Sequence, residues 1–160
     1  VHAEGEAQGM TEDIAGFHDS AAAEPKMIAE GPWLLLIVDD DPWLRETLRR
    51  MIESVGYDVR CAKDARTAID VVTRDAPDII ITDIFMPAGE GFEVLNWLRS
   101  NGTRTPVIAM SGANPGDGDY DQLEVAEQLG AAAVIDKPFQ QSKLAETIDR
   151  VLANRAAPPR

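Results

Sequence analysis

Apolar runs and helical stripes alternate five times along the middle of the chain. Residues 33–38 are apolar throughout, the pattern of a strand buried on both faces of a parallel sheet. A helix follows. Asp41 stands where a cap accepts the first free amides, and Pro42 fills the first helical position. Leu44, Leu48, Met51, Ile52 and Val55 fall on one face, Arg45, Arg49 and Glu53 face outward, and Gly56 ends the helix. The same reading predicts strands over 58–62, 79–82, 107–110 and 133–136. It predicts helices over 65–75, 90–100, 120–129 and 141–153, with Pro77 and Gly130 as stops. Phe92, Leu95 and Leu98 supply core contacts in the third helix, and Leu144, Ile148, Val151 and Leu152 in the fifth. Five βα units imply an α/β fold, a doubly wound parallel sheet covered by helices on both sides.

The flanks read differently. Residues 1–31 are rich in Ala, Glu and Gly with no sustained apolar period, which predicts a flexible acidic extension ahead of a domain over 32–154. Met10 and Met27 offer alternative starts, and a short docking helix from Met10 to Phe17 is the competing reading. Residues 155–160 form a Pro-containing tail.

Charge narrows the function. With 28 acidic and 15 basic residues, the formal net charge is −13. Such a surface suits cations and basic partners and argues against direct nucleic-acid binding. The single cysteine, Cys61, cannot form an internal disulfide and is read as a small core residue in a reducing, cytoplasmic setting. No apolar run reaches the roughly 20 residues a membrane span needs, and no secretory signal is evident. His2 and His18 have no second ligand at metal spacing.

In doubly wound sheets the functional crevice lies at the carboxyl ends of the strands. Those ends carry Asp39, Asp40 and Asp41 after the first strand, Asp83 after the third, Ser111 after the fourth and Lys137 after the fifth. Clustered carboxylates repel one another and recruit a cation, and hard oxygen ligands suit Mg²⁺. An Asp beside the metal can act as nucleophile toward phosphorus. Lys137 and Ser111 supply an ammonium and a hydroxyl for phosphoryl oxygens. Asp41 is read as the helix cap rather than a ligand. Trp43 covers the rim and offers a reporter of Mg²⁺ binding.

The segments LLLIVDDDPWLRETL, ITDIFMP, IAMSG and IDKPF resemble, in order and at compatible spacing, the motifs of response-regulator receiver domains. The resemblance covers residues 33–154. It implies a flavodoxin-like, five-stranded sheet in the order 2-1-3-4-5. It implies that Asp83 accepts a phosphoryl group from a histidine kinase or phosphotransfer protein. Asp39, Asp40, Asp83 and the backbone carbonyl of Phe85 would hold Mg²⁺. Ser111 would swing to the phosphoryl group, and Lys137 would pair with Asp83 and then with phosphate. Pro138 would follow a cis peptide bond. Met86, Pro87 and Gly91 would shape the loop after the nucleophile, Gly91 through backbone freedom.

Three departures from the family bear on output. Val134 stands where many relatives carry a switching aromatic residue. The loop SGANPGDGDYD is long, and its Asp117, Asp119 and Asp121 lack the later glutamate of a calcium loop. Neither Phe85 nor Ala113, at positions that influence water attack, can orient a water by hydrogen bonding, which predicts slow self-dephosphorylation. The resemblance implies a phosphorylation switch rather than an enzyme, and because the chain ends soon after the fifth helix the expectation is a stand-alone regulator acting as monomer or weak dimer through a downstream protein target. The alternatives are a receiver excised from a hybrid kinase, a haloacid-dehalogenase-type hydrolase with Asp39 as nucleophile and Asp41 as acid–base, and a phosphorylation-independent interaction module. Three acids where a flavodoxin cradles phosphate argue against flavin mononucleotide.

Overall fold

A computed structural model of the chain describes residues 32–112 and 122–155. The expectations for the N-terminal extension, for Ala113 and the aspartates of the long loop, and for the last five residues lie outside these. The order is β1 (Leu34–Val38), α1 (Pro42–Glu53), β2 (Asp58–Ala62), α2 (Ala65–Asp75), β3 (Ile79–Asp83), a single 3₁₀ turn (Pro87–Gly89), α3 (Glu90–Ser100), β4 (Val107–Gly112), α4 (Gln122–Gln128), β5 (Ala133–Lys137) and α5 (Gln141–Ala153). The five strands are parallel in the order β2-β1-β3-β4-β5.

Alternation along each strand divides the core into two layers. Leu36, Val38, Ile80 and Ala109 meet α2, α3 and α4 through residues such as Ala68, Leu95 and Ala126. Leu35, Ile37, Ile81 and Met110 meet α1 and α5 through Leu48, Ile52, Leu144 and Ile148. The apolar runs predicted this double burial, because a strand covered on both faces has no polar side to show. Val134 is half-buried against the first layer. Cys61 is half-buried against the second, where burial raises its thiol pKa.

Several boundaries differ from the sequence reading. Trp33 lies outside β1; its carbonyl accepts from Asp58 N and its ring packs beneath the Arg155 guanidinium, 5.7 Å from the centroid. The three strands that deliver chemistry run further than predicted: β3 includes Asp83, β4 includes Ser111 and β5 includes Lys137. Backbone pairing therefore continues to the functional residues themselves. Asp41 caps α1 as predicted, its Oδ1 accepting from Trp43 N at 2.8 Å and Leu44 N at 3.4 Å. Among the described residues no helix is long and apolar enough to cross a membrane.

Candidate functional site

The sheet brings the predicted residues together at one rim. Val38 is in register with Thr82, so the residues that follow, Asp39 and Asp83, emerge side by side. Asp83 is in register with Met110, which places Ser111 one step further along the neighbouring strand. Gly112 is in register with Lys137. Asp39 is 1% exposed and Asp83 7%, Ser111 is buried, and Asp40 is exposed. Oxygens of Asp39, Asp40 and Asp83 all lie within 4.8 Å of one another.

Lys137 closes the site. Its Nζ donates to Asp83 Oδ2 at 2.7 Å and to Asp39 Oδ2 at 3.2 Å. The Lys137–Pro138 bond is cis, as the resemblance implied. The remaining carboxylate oxygens are fixed locally. Asp39 Oδ1 accepts from Asp41 N, and Asp83 Oδ1 accepts from Phe85 N, each at 2.8 Å. Both are Asx turns, in which an aspartate binds the amide two residues on. Each carboxylate is thereby aimed by its own turn and drawn to a common ammonium.

Burial pushes the Asp39 carboxyl up, and the Asp83 charge adds to that push, while the Asp41 amide and Lys137 oppose it. For Lys137, burial pulls downward, but its bond to Asp83 and the charges of Asp39 and Asp83 outweigh it, and the ammonium sits above its ordinary value. Counted formally, three carboxylates against one ammonium give the corner −2 (−3 + 1). A hard dication balances that charge, and the donor set of carboxylate oxygens with one exposed member fits Mg²⁺, which keeps several waters.

Two site residues behave differently from the sequence reading. Gly91 was expected to supply backbone freedom, yet its role is steric. A Cβ there would press on the Asp83 carbonyl and come within 2.5 Å of Ile84 Cα. The first turn of α3 thus packs directly on the backbone carrying Asp83. The positive-φ residues of this loop are instead Ala88 and Gly89. Arg45 was expected to face outward, yet it is half-buried and its Nη1 donates to the Asp39 carbonyl at 2.6 Å. The available signal was position: a long helical side chain one turn beyond the N-cap leans back toward the N-terminus and reaches the strand it left. Trp43, 78% exposed, and Phe85, 36% exposed, stand at the rim.

The structure also weakens the hydrolase alternative. The Asp41 carboxylate, which that reading needs as acid–base, is instead the N-cap of α1, accepting from Trp43 N and Leu44 N.

Comparison with known proteins gives the same reading. The profile of the response regulator receiver domain matches residues 35–149. Response regulator MprA of Mycolicibacterium vanbaalenii is 35% identical over 127 residues, which is 79% of this chain and 53% of that protein. The chain thus spans about half the length of the curated relatives it matches. Chemotaxis protein CheY4 of Vibrio cholerae superposes with a TM-score of 0.67 at 27% identity, covering 76% of this chain and 99% of that one. The signal receiver domain of a signal transduction histidine kinase from Syntrophus aciditrophicus also gives 0.67 at 27% identity, covering 80% and 97%. The chain belongs to the family of response-regulator receiver domains, the modules of phosphorylation-based two-component signalling.

Proposed function

We propose that Asp83 is the phosphoacceptor and that the phosphoryl group comes from a phosphohistidine of a histidine kinase or phosphotransfer protein. A carboxylate oxygen of Asp83 attacks phosphorus, the P–N bond breaks, and its electron pair returns to the imidazole. The observation that carries the reading is the Lys137 ammonium bonded to both Asp83 and Asp39 at the rim of the sheet. It neutralises the carboxylates before transfer and stands beside the incoming phosphoryl oxygens. Ser111, one step along from the partner of Asp83, supplies a hydroxyl donor. Asp39, Asp40, Asp83 and the Phe85 carbonyl form the Mg²⁺ site, and Mg²⁺ bound there supplies charge neutralisation to the phosphoryl oxygens.

The output is a protein–protein contact, without direct nucleic-acid or membrane binding, in the cytoplasm, by a monomer or weak dimer. A single-domain regulator is the first reading, in line with the likeness to the V. cholerae chemotaxis protein. The kinase receiver domain of S. aciditrophicus favours a module within a larger protein as the second reading. Val134 in place of an aromatic residue removes one known coupling of phosphorylation to the β5 face.

Intact-protein mass after incubation with acetyl phosphate tests this. One phosphoryl adduct that needs Mg²⁺ and is lost in Asp83→Asn supports the reading. An adduct that persists in Asp83→Asn, or none at all, refutes it.

A further inference from the structure

Arg45 lies outside the proposed chemistry but is bonded to its framework. Its side chain leans back over the N-terminus of α1, and Nη1 donates to the Asp39 carbonyl at 2.6 Å. The bond is charge-assisted. The other polar groups of Asp39 have partners of their own. Its N–H donates to the Ala62 carbonyl at 3.2 Å, and its carboxylate accepts from Asp41 N and from Lys137. The carbonyl that Arg45 holds belongs to the peptide joining Asp39 to Asp40.

That peptide matters because of Asp40. Its side chain is exposed, and among the described residues no hydrogen bond to its carboxylate is present. Its place within 4.8 Å of the Asp39 and Asp83 oxygens is therefore set by its backbone. Rotation of the Asp39–Asp40 peptide would carry the Asp40 carboxylate out of the cluster. Arg45 restrains that rotation at the carbonyl, beside the Asx turn in which Asp41 N binds the Asp39 carboxylate. Among the described residues it donates to no carboxylate of the cluster, so it does not compete with a cation for those oxygens.

We infer that Arg45 is a positioning residue: through the Asp39 carbonyl it holds the Asp40 carboxylate in the cation site. The inference rests on the proposed role of Asp39, Asp40 and Asp83 as Mg²⁺ ligands. It is independent of which downstream partner the domain serves.

Calorimetric titration of the full chain with MgCl₂ tests it, comparing the native protein with Arg45→Ala and Arg45→Lys. Loss of an outer partner of a metal ligand typically costs at least about 10-fold in affinity, and Arg45→Ala is expected to show that loss. Arg45→Lys keeps a cationic donor and is expected to recover most of it. The thermal midpoints of both variants in EDTA should stay close to the native one. Native-like Mg²⁺ affinity in Arg45→Ala would overturn the inference and leave the metal reading standing. Equal loss in both variants, with a collapsed midpoint in EDTA, would also overturn it by making Arg45 a general scaffold residue. Absence of Mg²⁺ binding by the native chain would instead refute the metal reading, and the positioning role with it.

Discussion

Lys137 Nζ lies 2.7 Å from Asp83 Oδ2, across a sequence separation of 54 residues, and the same ammonium reaches Asp39 Oδ2 at 3.2 Å. The pairing joins the ends of β1, β3 and β5 and makes one charged unit of residues from three strands. Lys137→Met would leave two adjacent buried carboxylates without their counter-ion. The Lys137 side chain keeps 23% of its exposure, so the cost falls short of a fully buried pair, at about 2 kcal/mol in urea unfolding. Mg²⁺ should restore more stability to the variant than to the native protein, because the dication replaces the lost charge. An equal Mg²⁺ response in both proteins would contradict this electrostatic role.

Gly91→Ala should be costly although alanine is the better helix former. The added Cβ meets the backbone of Asp83 and Ile84, which cannot move without shifting β3. Overpacking of this kind costs about 1–3 kcal/mol. The urea midpoint should fall accordingly, together with the rate of phosphorylation by acetyl phosphate. A native midpoint would show that α3 can shift away freely.

These two residues illustrate what the chain discloses before folding. The double-sided burial of β1 and β3 was written in their apolar runs, and Asp41–Pro42 announced the start of α1. Asp39, Asp83, Ser111 and Lys137 were legible because sheet topology sends strand ends to one rim. The role of Gly91 was not legible, since a missing side chain can mean freedom or closeness and only packing decides. Arg45 was misread because periodicity assigns a face by angle and ignores the lean of a long side chain along the helix. Asp78 went unremarked for a related reason. Its Oδ2 accepts from Leu34 N at 2.9 Å and its Oδ1 pairs with Arg155, contacts between residues 44 and 77 positions apart that leave no local pattern.

Tyr57 gives a pH prediction remote from the site. Its hydroxyl donates to Asp149 Oδ1 at 2.7 Å, tying the turn before β2 to α5. Burial, then the bond to Asp149 and its charge, push the phenol well above its ordinary range. The folded pKa is raised above the unfolded one. The stabilisation is therefore complete below about pH 10 and is lost as pH rises past that value. Urea midpoints of the native chain should fall above that pH more steeply than those of Tyr57→Phe. Parallel curves for the two proteins would contradict the assignment.

Phe85 bears on signal lifetime. Its N–H orients Asp83, but its ring has no group to align an attacking water. The phosphorylated form should persist for minutes or longer without a phosphatase, and Phe85→Glu should shorten that time. Release of inorganic phosphate from the purified phosphoprotein measures it. Loss from the native protein within seconds would contradict the expectation.

The most direct measurement locates the phosphoryl group on the chain. After phosphorylation with acetyl phosphate and Mg²⁺, borohydride reduction converts an aspartyl phosphate to homoserine, and peptide mass mapping reads its position. Homoserine at position 83, absent when Mg²⁺ is withheld, is the expected result. Homoserine at position 39, or none anywhere, would contradict the assignment of Asp83 as the acceptor.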